Sequence, residues 1–264
     1  MAKERLDKVL VDRGIVESRT LAQALILAGQ ILVDEQRADK PGLAIHVDAQ
    51  IRIKGETLRY VGRGGLKLEA ALREFKIDPT GKNCLDVGAS TGGFTDCLLQ
   101  HGAMRVWSVD VGHNQLAWRI RQDSRVVVLE GVNARNLTPE QFGIRFDLAA
   151  VDVSFISLDK ILSPLRVCLI DQADCIALIK PQFEVGKGEV GKGGIVTDPV
   201  KHRRVLCEIA DASRASGFYA VGLIESPIRG GEGNREFLMH LRPGQDVSQE
   251  QVHIAETIER LTSS

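Results

Sequence analysis

Apolar residues recur at helical spacing near the start of the chain. Leu6, Val9 and Leu10 have the spacing of one helix face. A second helix is predicted between Ser18, a favourable N-cap, and Gly29, a residue that commonly ends helices. Shorter strand-like stretches follow at 31–33 and 51–53. The pattern therefore predicts a small α+β unit at the N-terminus.

From Cys84 onward the pattern changes to apolar strands that alternate with helices. This alternation is typical of an α/β fold, in which a mostly parallel sheet carries helices on both faces. One helix is clearly marked from Pro199 to Ser216, and Pro164 is expected to shorten or kink another that begins near Ser157. Strands are predicted near 83–87, 105–110, 126–129, 147–153, 174–180, 218–225 and 235–242.

The composition agrees with a large and a small domain in one chain of 264 residues, 44% of them hydrophobic. No apolar run reaches the roughly 20 residues of a membrane helix, and no signal-peptide pattern opens the chain, so a cytoplasmic protein is expected. The five cysteines form no C-x-x-C pair, and neither a disulfide framework nor a metal site is expected. The net charge of −1 leaves any nucleic-acid contact to local basic patches.

The sequence of residues 85–94 predicts a strand, a glycine-rich turn and the start of a helix. Backbone amides in such a turn approach a ligand closely, which is typical of a nucleotide-type site. A dinucleotide-binding G-x-G-x-x-G would require glycine at Ser90, and the Asp86 carboxylate would lie beside a pyrophosphate. S-adenosylmethionine has no phosphate, and Asp86 can help to hold its ammonium group. We therefore expect cofactor contacts from Asp86, Gly88, Ser90, Thr91 and Gly92.

Two further positions suit an adenosine-containing cofactor. Asp110 ends the second strand of the sheet, where a carboxylate can accept both ribose hydroxyls. This carboxylate fits S-adenosylmethionine and NAD equally. Asn133 and Ala134 follow the third strand, where an adenine edge would lie, although asparagine is also frequent in turns.

Four charged residues are predicted at or near the carboxyl edge of the sheet, where open α/β sheets bind ligands. Asp152 follows the fourth strand and Lys180 the fifth. Lys67 lies near the start of a helix, and Glu236 begins the last strand. Taken one at a time, Lys67 and Glu236 are more typical of surface charges than of site residues.

The first sixty residues resemble the alpha-L RNA-binding domain, found in a small-subunit ribosomal protein and in several RNA-modifying enzymes. The resemblance rests on residues 5–10, on the Ser18-Arg19 helix start and on residues 29–34. In that domain basic side chains lie against phosphates and position the RNA without reading its sequence. By this resemblance, Arg5, Arg19 and Lys40 are the expected RNA contacts.

Motifs along nearly the whole chain resemble the TlyA family of rRNA cytidine 2′-O-methyltransferases, which also carries the name haemolysin A. They lie at 63–68, 88–95, 111–118, 152–158, 180–188 and 233–236. The resemblance implies an FtsJ-like, Rossmann-like methyltransferase domain that uses S-adenosylmethionine. It also implies a catalytic tetrad whose members are Lys67, Asp152, Lys180 and Glu236.

A glycine-rich loop follows Lys180 and contains Lys187 and Lys192. Its position beside the expected site makes an RNA-contacting flap as reasonable as a plain connection. The expected domains are residues 1–61, with a linker at 58–61, residues 62–244, and a tail at 245–264 with a short helix.

By the resemblance to the TlyA family, the expected function is 2′-O-methylation of cytidine ribose in 23S rRNA, with ribosomal RNA or ribosomal subunits as partners. Additional action on 16S rRNA stays open. A monomer with no membrane contact is favoured. Two alternatives stay open: a haemolysin-type membrane-active protein, and an RNA-binding protein that has lost catalysis.

Overall fold

The computed structural model describes residues 3–34, 36–47, 49, 51–53, 59–186, 188–230, 233–244 and 248–263. Backbone contacts divide the chain into two compact units, residues 1–59 and residues 60–264. The hydrophobic clusters follow the same division, since one cluster belongs to the first unit and two belong to the second.

The N-terminal unit contains two helices and short antiparallel strands. Ser18 caps the second helix, because its Oγ accepts a hydrogen bond from the backbone N–H of Leu21 at 3.2 Å. Leu6, Val9 and Leu10 are buried in the core, which confirms the face expected for the first helix. The elements are β1 (Lys3–Arg5), α1 (Leu6–Asp12), α2 (Arg19–Leu27), β2 (Ile31–Val33), β3 (Gln36–Ala38), β4 (Ala44–His46) and β5 (Ile51–Ile53). β1 pairs with β4, and β2 lies between β3 and β5.

The second unit is built on a seven-stranded sheet in the order β11-β12-β10-β9-β6-β7-β8. Its strands are β6 (Asn83–Val87), β7 (Arg105–Asp110), β8 (Val126–Glu130), β9 (Phe146–Val151), β10 (Leu169–Ile179), β11 (Phe218–Glu225) and β12 (Phe237–Pro243). Its helices are α3 (Gly64–Phe75), α4 (Gly93–Gln100), α5 (Trp118–Arg121), α6 (Asp159–Val167), α7 (Pro181–Glu184), α8 (Pro199–Ala215) and α9 (Ser248–Thr262). All seven predicted strands are present, and the predicted α/β class is confirmed.

Helices cover both faces of this sheet. Successive residues of a strand point to opposite faces, and here apolar residues point to both faces, so both must be covered. In β6, Leu85 and Val87 face the core with α6, α8 and α9, whereas Cys84 faces the core with α3, α4 and α5. α6 continues through Pro164, the sixth of its nine residues. β12 runs antiparallel to both of its neighbours, because it follows β11 through a short connection without a crossover helix.

The strand register brings four chain segments to one edge of the sheet. Val87 of β6 and Ala177 of β10 both pair with Val151 of β9, so the residues after these strands are neighbours. Ile179 pairs with Phe237, which places the residue after β10 beside the residue before β12. No helix in the described part of the chain is long and apolar enough to cross a membrane.

Candidate active site

A cleft of about 520 Å³ opens at the carboxyl edge of the sheet. Segments after β6, β7, β8 and β9 form its wall, as expected for an open α/β sheet. The lining residues with predicted roles are Gly88, Ser90, Asp110, Asn133, Ala134 and Asp152. The predicted cofactor residues Asp86, Thr91 and Gly92 are absent from the lining.

The glycine-rich loop after β6 forms one side of the cleft at very close range to β9. Gly88 has a φ of +88°, and a Cβ atom there would lie 2.3 Å from the backbone oxygen of Asp152. Only glycine fits such an approach. Thr91 lies close to Gly62 instead, because a Cβ atom on Gly62 would lie 2.7 Å from Thr91 Oγ1.

Asp110 is fixed at the cleft wall by two backbone amides. Its Oδ2 accepts from the N–H of Ser90 at 2.8 Å, and its Oδ1 accepts from the N–H of Gly112 at 2.7 Å. Each carboxylate oxygen has a second lone pair, so both oxygens can still accept from a ribose hydroxyl. The bond from Ser90 also ties the glycine-rich loop to the end of β7.

Asp86 lies in the interior of the sheet layer and is fully buried. Its Oδ2 accepts from Thr95 Oγ1 at 2.6 Å, and Thr95 Oγ1 lies 2.7 Å from Ser108 Oγ. Asp86 Oδ1 has no hydrogen-bond partner among the described residues. Burial raises the pKa of Asp86 to about 7. This environment is that of a carboxyl group that is protonated over part of the neutral range.

Asn133 and Ala134 follow β8 and line the cleft opposite the glycine-rich loop. Asn133 Oδ1 accepts from the N–H of Arg135 at 3.0 Å and thereby caps a short 3-10 helix at Ala134–Asn136. Asn133 thus makes a hydrogen bond typical of turns, and it does so in the loop where the adenine contact is predicted.

Lys180 forms an ion pair with Asp152, which lines the cleft. Lys180 Nζ lies 2.5 Å from Asp152 Oδ1 and donates to Ser154 Oγ at 2.9 Å. These residues follow β10 and β9, which are adjacent parallel strands. One hydrogen bond, to Ser154, and one ion pair, with Asp152, therefore hold the ammonium group in place.

Lys67 and Glu236 form a second and more deeply buried ion pair, with side chains 10% and 2% exposed. Lys67 lies in the first turn of α3, and Glu236 directly precedes β12. A Cβ atom on Gly64, the first residue of α3, would lie 3.7 Å from Asp152 Oδ2. The register of β10 and β12 places Glu236 next to Lys180 along the sheet edge. The structure thus brings all four predicted tetrad residues to one edge as two pairs.

Sequence reasoning missed Phe155 as a site residue. It lines the cleft, is 89% exposed and has a φ of +63°, which is rare outside glycine and asparagine. Its ring lies 4.8 Å from that of Phe183, which follows Lys180 by three residues. An exposed aromatic ring beside a cleft can stack on a nucleic-acid base. An aromatic residue in the loop after a strand's carboxyl end was the available signal.

Glu184 joins the loops after β9 and β10. Its carboxylate accepts from Ser157 Oγ and, at 3.0 Å, from the N–H of Leu158. Burial raises the pKa of the Glu184 carboxyl group above its ordinary value. The loop that carries Ser154 and Phe155 is therefore attached to the segment that starts at Lys180.

The glycine-rich loop after Lys180 is anchored near its end. Lys187 lies outside the described residues, and Lys192 begins a 3-10 helix at Lys192–Gly194. Buried Asn234 donates to the oxygen of Gly194 at 2.9 Å and accepts from the N–H of Val196 at 3.0 Å. The loop thereby meets the segment that leads to Glu236.

In the N-terminal unit, the predicted RNA contacts Arg5 and Arg19 both bond to the carboxylate of Asp7. Lys40 is exposed and begins a turn that also contains Gly42. Gly42 lies close to Arg5, because a Cβ atom on Gly42 would be 3.4 Å from Arg5 Nη1. Three predicted cations therefore belong to adjoining segments of this unit.

Among the residues that the structure describes, no group of three or more His, Cys, Asp or Glu side chains could hold a metal ion.

Comparison with known proteins assigns the chain to a family. Residues 60–243 match the FtsJ-like methyltransferases, and residues 4–51 match the S4 domain. YqxC of Bacillus subtilis is 51% identical over 95% of this chain and 92% of its own length. The Mycobacterium tuberculosis protein named 16S/23S rRNA (cytidine-2′-O)-methyltransferase TlyA is 46% identical over 92% of this chain and 91% of its own. A solved structure from Streptococcus thermophilus that carries the name hemolysin covers 98% of this chain and 97% of its own, with 43% identity and a TM-score of 0.73. The resemblance seen in the motifs is confirmed, and the chain belongs to the FtsJ-like methyltransferases, with an S4 domain ahead of the methyltransferase part.

Proposed function

We propose that the protein transfers a methyl group from S-adenosylmethionine to the ribose 2′-hydroxyl of a cytidine in ribosomal RNA. The observation that carries this proposal is the meeting of two lysine–carboxylate pairs at the edge of a glycine-walled cleft. The name of the Mycobacterium tuberculosis relative supports the substrate class.

The residues of the cleft fit S-adenosylmethionine. A volume of about 520 Å³ lies within the usual range for small-molecule sites. Gly88 lets the loop after β6 lie against the backbone of Asp152 in the cleft wall, and Asp110 offers acceptors for ribose hydroxyls. Ser90, Asn133 and Ala134 complete the proposed contacts. Asp86, Thr91 and Gly92 would act from behind the cleft wall, by holding the loop in shape.

When bound, S-adenosylmethionine supplies a methyl group on a positively charged sulfur. Lys180 is the group we expect to meet the 2′-hydroxyl, because its ammonium nitrogen is held beside Asp152, a residue of the cleft wall, and donates to Ser154. The ammonium form of Lys180 can donate a hydrogen bond to the hydroxyl oxygen and orient it, and the neutral amine form can accept its proton. Lys67 and Glu236 would hold the ribose from the neighbouring side.

The N-terminal unit would dock the enzyme on RNA. Arg5, Arg19 and Lys40 supply positive charge for phosphates, and Lys187 and Lys192 would add contacts from the loop after Lys180. A ribosomal substrate would place the enzyme in the cytoplasm. We propose residues 1–61 as the docking domain and 62–244 as the catalytic domain, acting as a monomer.

The test is methyl transfer from radiolabelled S-adenosylmethionine to unmethylated large and small ribosomal subunits, offered separately. Primer extension at low nucleotide concentration then locates the modified ribose. A signal at a cytidine of 23S rRNA supports the proposal, and a second signal in 16S rRNA extends it to both subunits. Release of a dye from liposomes without methyl transfer would favour a membrane-active protein, and RNA binding without transfer would favour an inactive RNA-binding protein.

A further inference from the structure

One buried carboxylate in the N-terminal unit holds two of the proposed RNA contacts. Asp7 Oδ2 accepts from Arg5 Nη2 at 2.9 Å, from Arg19 Nη2 at 3.1 Å and from Gln23 Nε2 at 3.0 Å. Asp7 Oδ1 accepts from Arg5 Nε at 3.0 Å. The contacts of Asp7 thus join the start of α1 to the first two turns of α2.

Exposure differs sharply between the acid and its bases. The Asp7 side chain is 0% exposed, whereas Arg5 and Arg19 are 55% and 56% exposed. A phosphate can therefore approach both guanidinium groups without meeting the carboxylate surface. Each guanidinium has five N–H donors, and Asp7 takes two from Arg5 and one from Arg19. The remaining donors are sufficient for bidentate contacts with phosphate oxygens.

Backbone contacts hold a third cation close to this pair. The N–H of Asp7 donates to the oxygen of Pro41 at 3.1 Å, and the N–H of Leu6 donates to the oxygen of Leu43 at 2.8 Å. The turn that contains Lys40 is thereby fastened to the start of α1, beside Arg5.

We propose that Asp7 is a positioning residue that holds Arg5 and Arg19 side by side as a clamp for one phosphate group of the RNA backbone. The inference rests on the proposed docking function. Long arginine side chains lose conformational freedom on binding, and a partner that fixes them beforehand lowers this cost. The Arg5 guanidinium also holds the pKa of Asp7 well below its usual range, so the carboxylate is charged at neutral pH.

The proposal and simple charge counting predict opposite effects of an Asp7 substitution on RNA binding. Asp7→Asn makes the basic face more positive, so charge counting predicts tighter binding to a polyanion. If Asp7 positions the arginines, Asp7→Asn instead weakens binding of the full-length protein to an unmodified 23S rRNA transcript by about tenfold, as expected for a lost charge-assisted contact. The salt dependence of binding should become shallower by about one phosphate contact.

Asp12→Asn is the matched control. Asp12 lies on the same helix, is exposed and pairs with Lys8 at 3.6 Å, and its change to asparagine alters the net charge equally. Binding by Asp12→Asn should be unchanged or slightly tighter. Circular dichroism and S-adenosylmethionine affinity check that each variant is folded.

A second variant keeps the test valid if Asp7→Asn unfolds the N-terminal unit. Gln23→Met leaves both arginines and the net charge in place and removes one hydrogen bond to Asp7. We expect it to weaken RNA binding about two- to fivefold, since a neutral hydrogen bond contributes less than a charged one.

A double-mutant cycle separates positioning from general damage. If Asp7 acts through the arginines, Asp7→Asn causes no further loss in an Arg5→Ala/Arg19→Ala background. Binding as tight as wild type in folded Asp7→Asn, unchanged binding in Gln23→Met, or an undiminished loss in the double-alanine background would each overturn the inference. If the Arg5→Ala/Arg19→Ala protein itself binds RNA like wild type, the proposed docking function also fails.

Discussion

The two units place lysines and arginines beside carboxylates in opposite ways. In the methyltransferase unit both members of the two pairs at the cleft edge are largely enclosed, with Lys180 12% and Asp152 21% exposed and Lys67 10% and Glu236 2% exposed. In the N-terminal unit the carboxylate of Asp7 is enclosed while Arg5 and Arg19 are half exposed.

This difference separates two uses of the same chemistry. A cation whose side chain is enclosed with its partner can act only on a group that enters the cleft, such as a ribose hydroxyl. A half-exposed cation on a buried acid is available to any phosphate that reaches the surface. Pairing in the cleft therefore suits a chemical step, and pairing on the N-terminal face suits docking.

Removal of Lys180 gives the largest expected effect. Proton transfer by a positioned side chain contributes about a hundred- to ten-thousand-fold in rate, so Lys180→Ala should slow single-turnover methylation by that range. Affinity for S-adenosylmethionine should change little, as measured by calorimetry. Lys180→Arg keeps the charge but does not readily deprotonate. Activity of the arginine variant near wild type would point to orientation by charge, and normal turnover by Lys180→Ala would remove Lys180 from the chemistry.

Loss of one member of the buried pair should strongly reduce stability. Glu236→Gln leaves Lys67 enclosed without a counter-charge, and we expect a loss of about 3–5 kcal/mol in the free energy of unfolding. Urea denaturation of the full chain measures it. Lys160→Met, which breaks an exposed pair with Asp159, is the control and should cost about 0–1 kcal/mol. Equal losses in both variants would contradict the comparison between enclosed and exposed pairs.

Removal of the carboxylate at the end of β7 should weaken cofactor binding. Asp110→Ala should cost about 1.5–3 kcal/mol in S-adenosylmethionine affinity, the range for hydrogen bonds to a charged acceptor. Asp123→Ala serves as the control, because Asp123 pairs with Arg125 outside the cleft lining. Calorimetry that finds unchanged affinity for Asp110→Ala would exclude Asp110 from the cofactor site.

The exposed ring of Phe155 should contribute to RNA binding and not to cofactor binding. Stacking on one base is typically worth about 1–3 kcal/mol, so Phe155→Ala should raise the KM for rRNA accordingly. Trp118→Ala removes another exposed aromatic residue that lies outside the cleft lining and should leave KM unchanged. A similar change in both variants would indicate non-specific surface effects.

The effect expected at Asp86 depends on pH. Burial raises the folded-state pKa of Asp86 to about 7, above the value of about 4 in an unfolded chain, so the folded protein binds the extra proton between these values. The contribution of Asp86 to stability is thus full below about pH 4 and declines as the pH rises to about 7. Asp86→Asn should make the melting temperature less dependent on pH across this window. A strong loss of S-adenosylmethionine affinity in this variant would instead support the predicted contact with the cofactor.

The sequence indicated the fold class because its evidence is local. Strand and helix periodicity, the Ser18 cap and the approximate positions of the seven strands depend on neighbouring residues, and the structure bears them out. The strand ends are less exact, since β10 begins at Leu169 and not near residue 174. Residues at strand ends could be assigned to one edge, because parallel strands present their carboxyl ends together. The antiparallel direction of β12 was not evident, since strand pairing depends on residues far apart in the chain.

For the cleft itself, the sequence alone determined which residue types lie at the sheet edge: a glycine-rich turn, Asp110, Asp152 and Lys180. Only the tertiary structure decided that Lys180 pairs with Asp152 and Lys67 with Glu236, because strand order and the start of α3 set those distances. It also decided which acids are enclosed. Burial depends on packing from every side, which no local pattern records, and it is burial that separates Asp86 from the cleft and Asp7 from the surface.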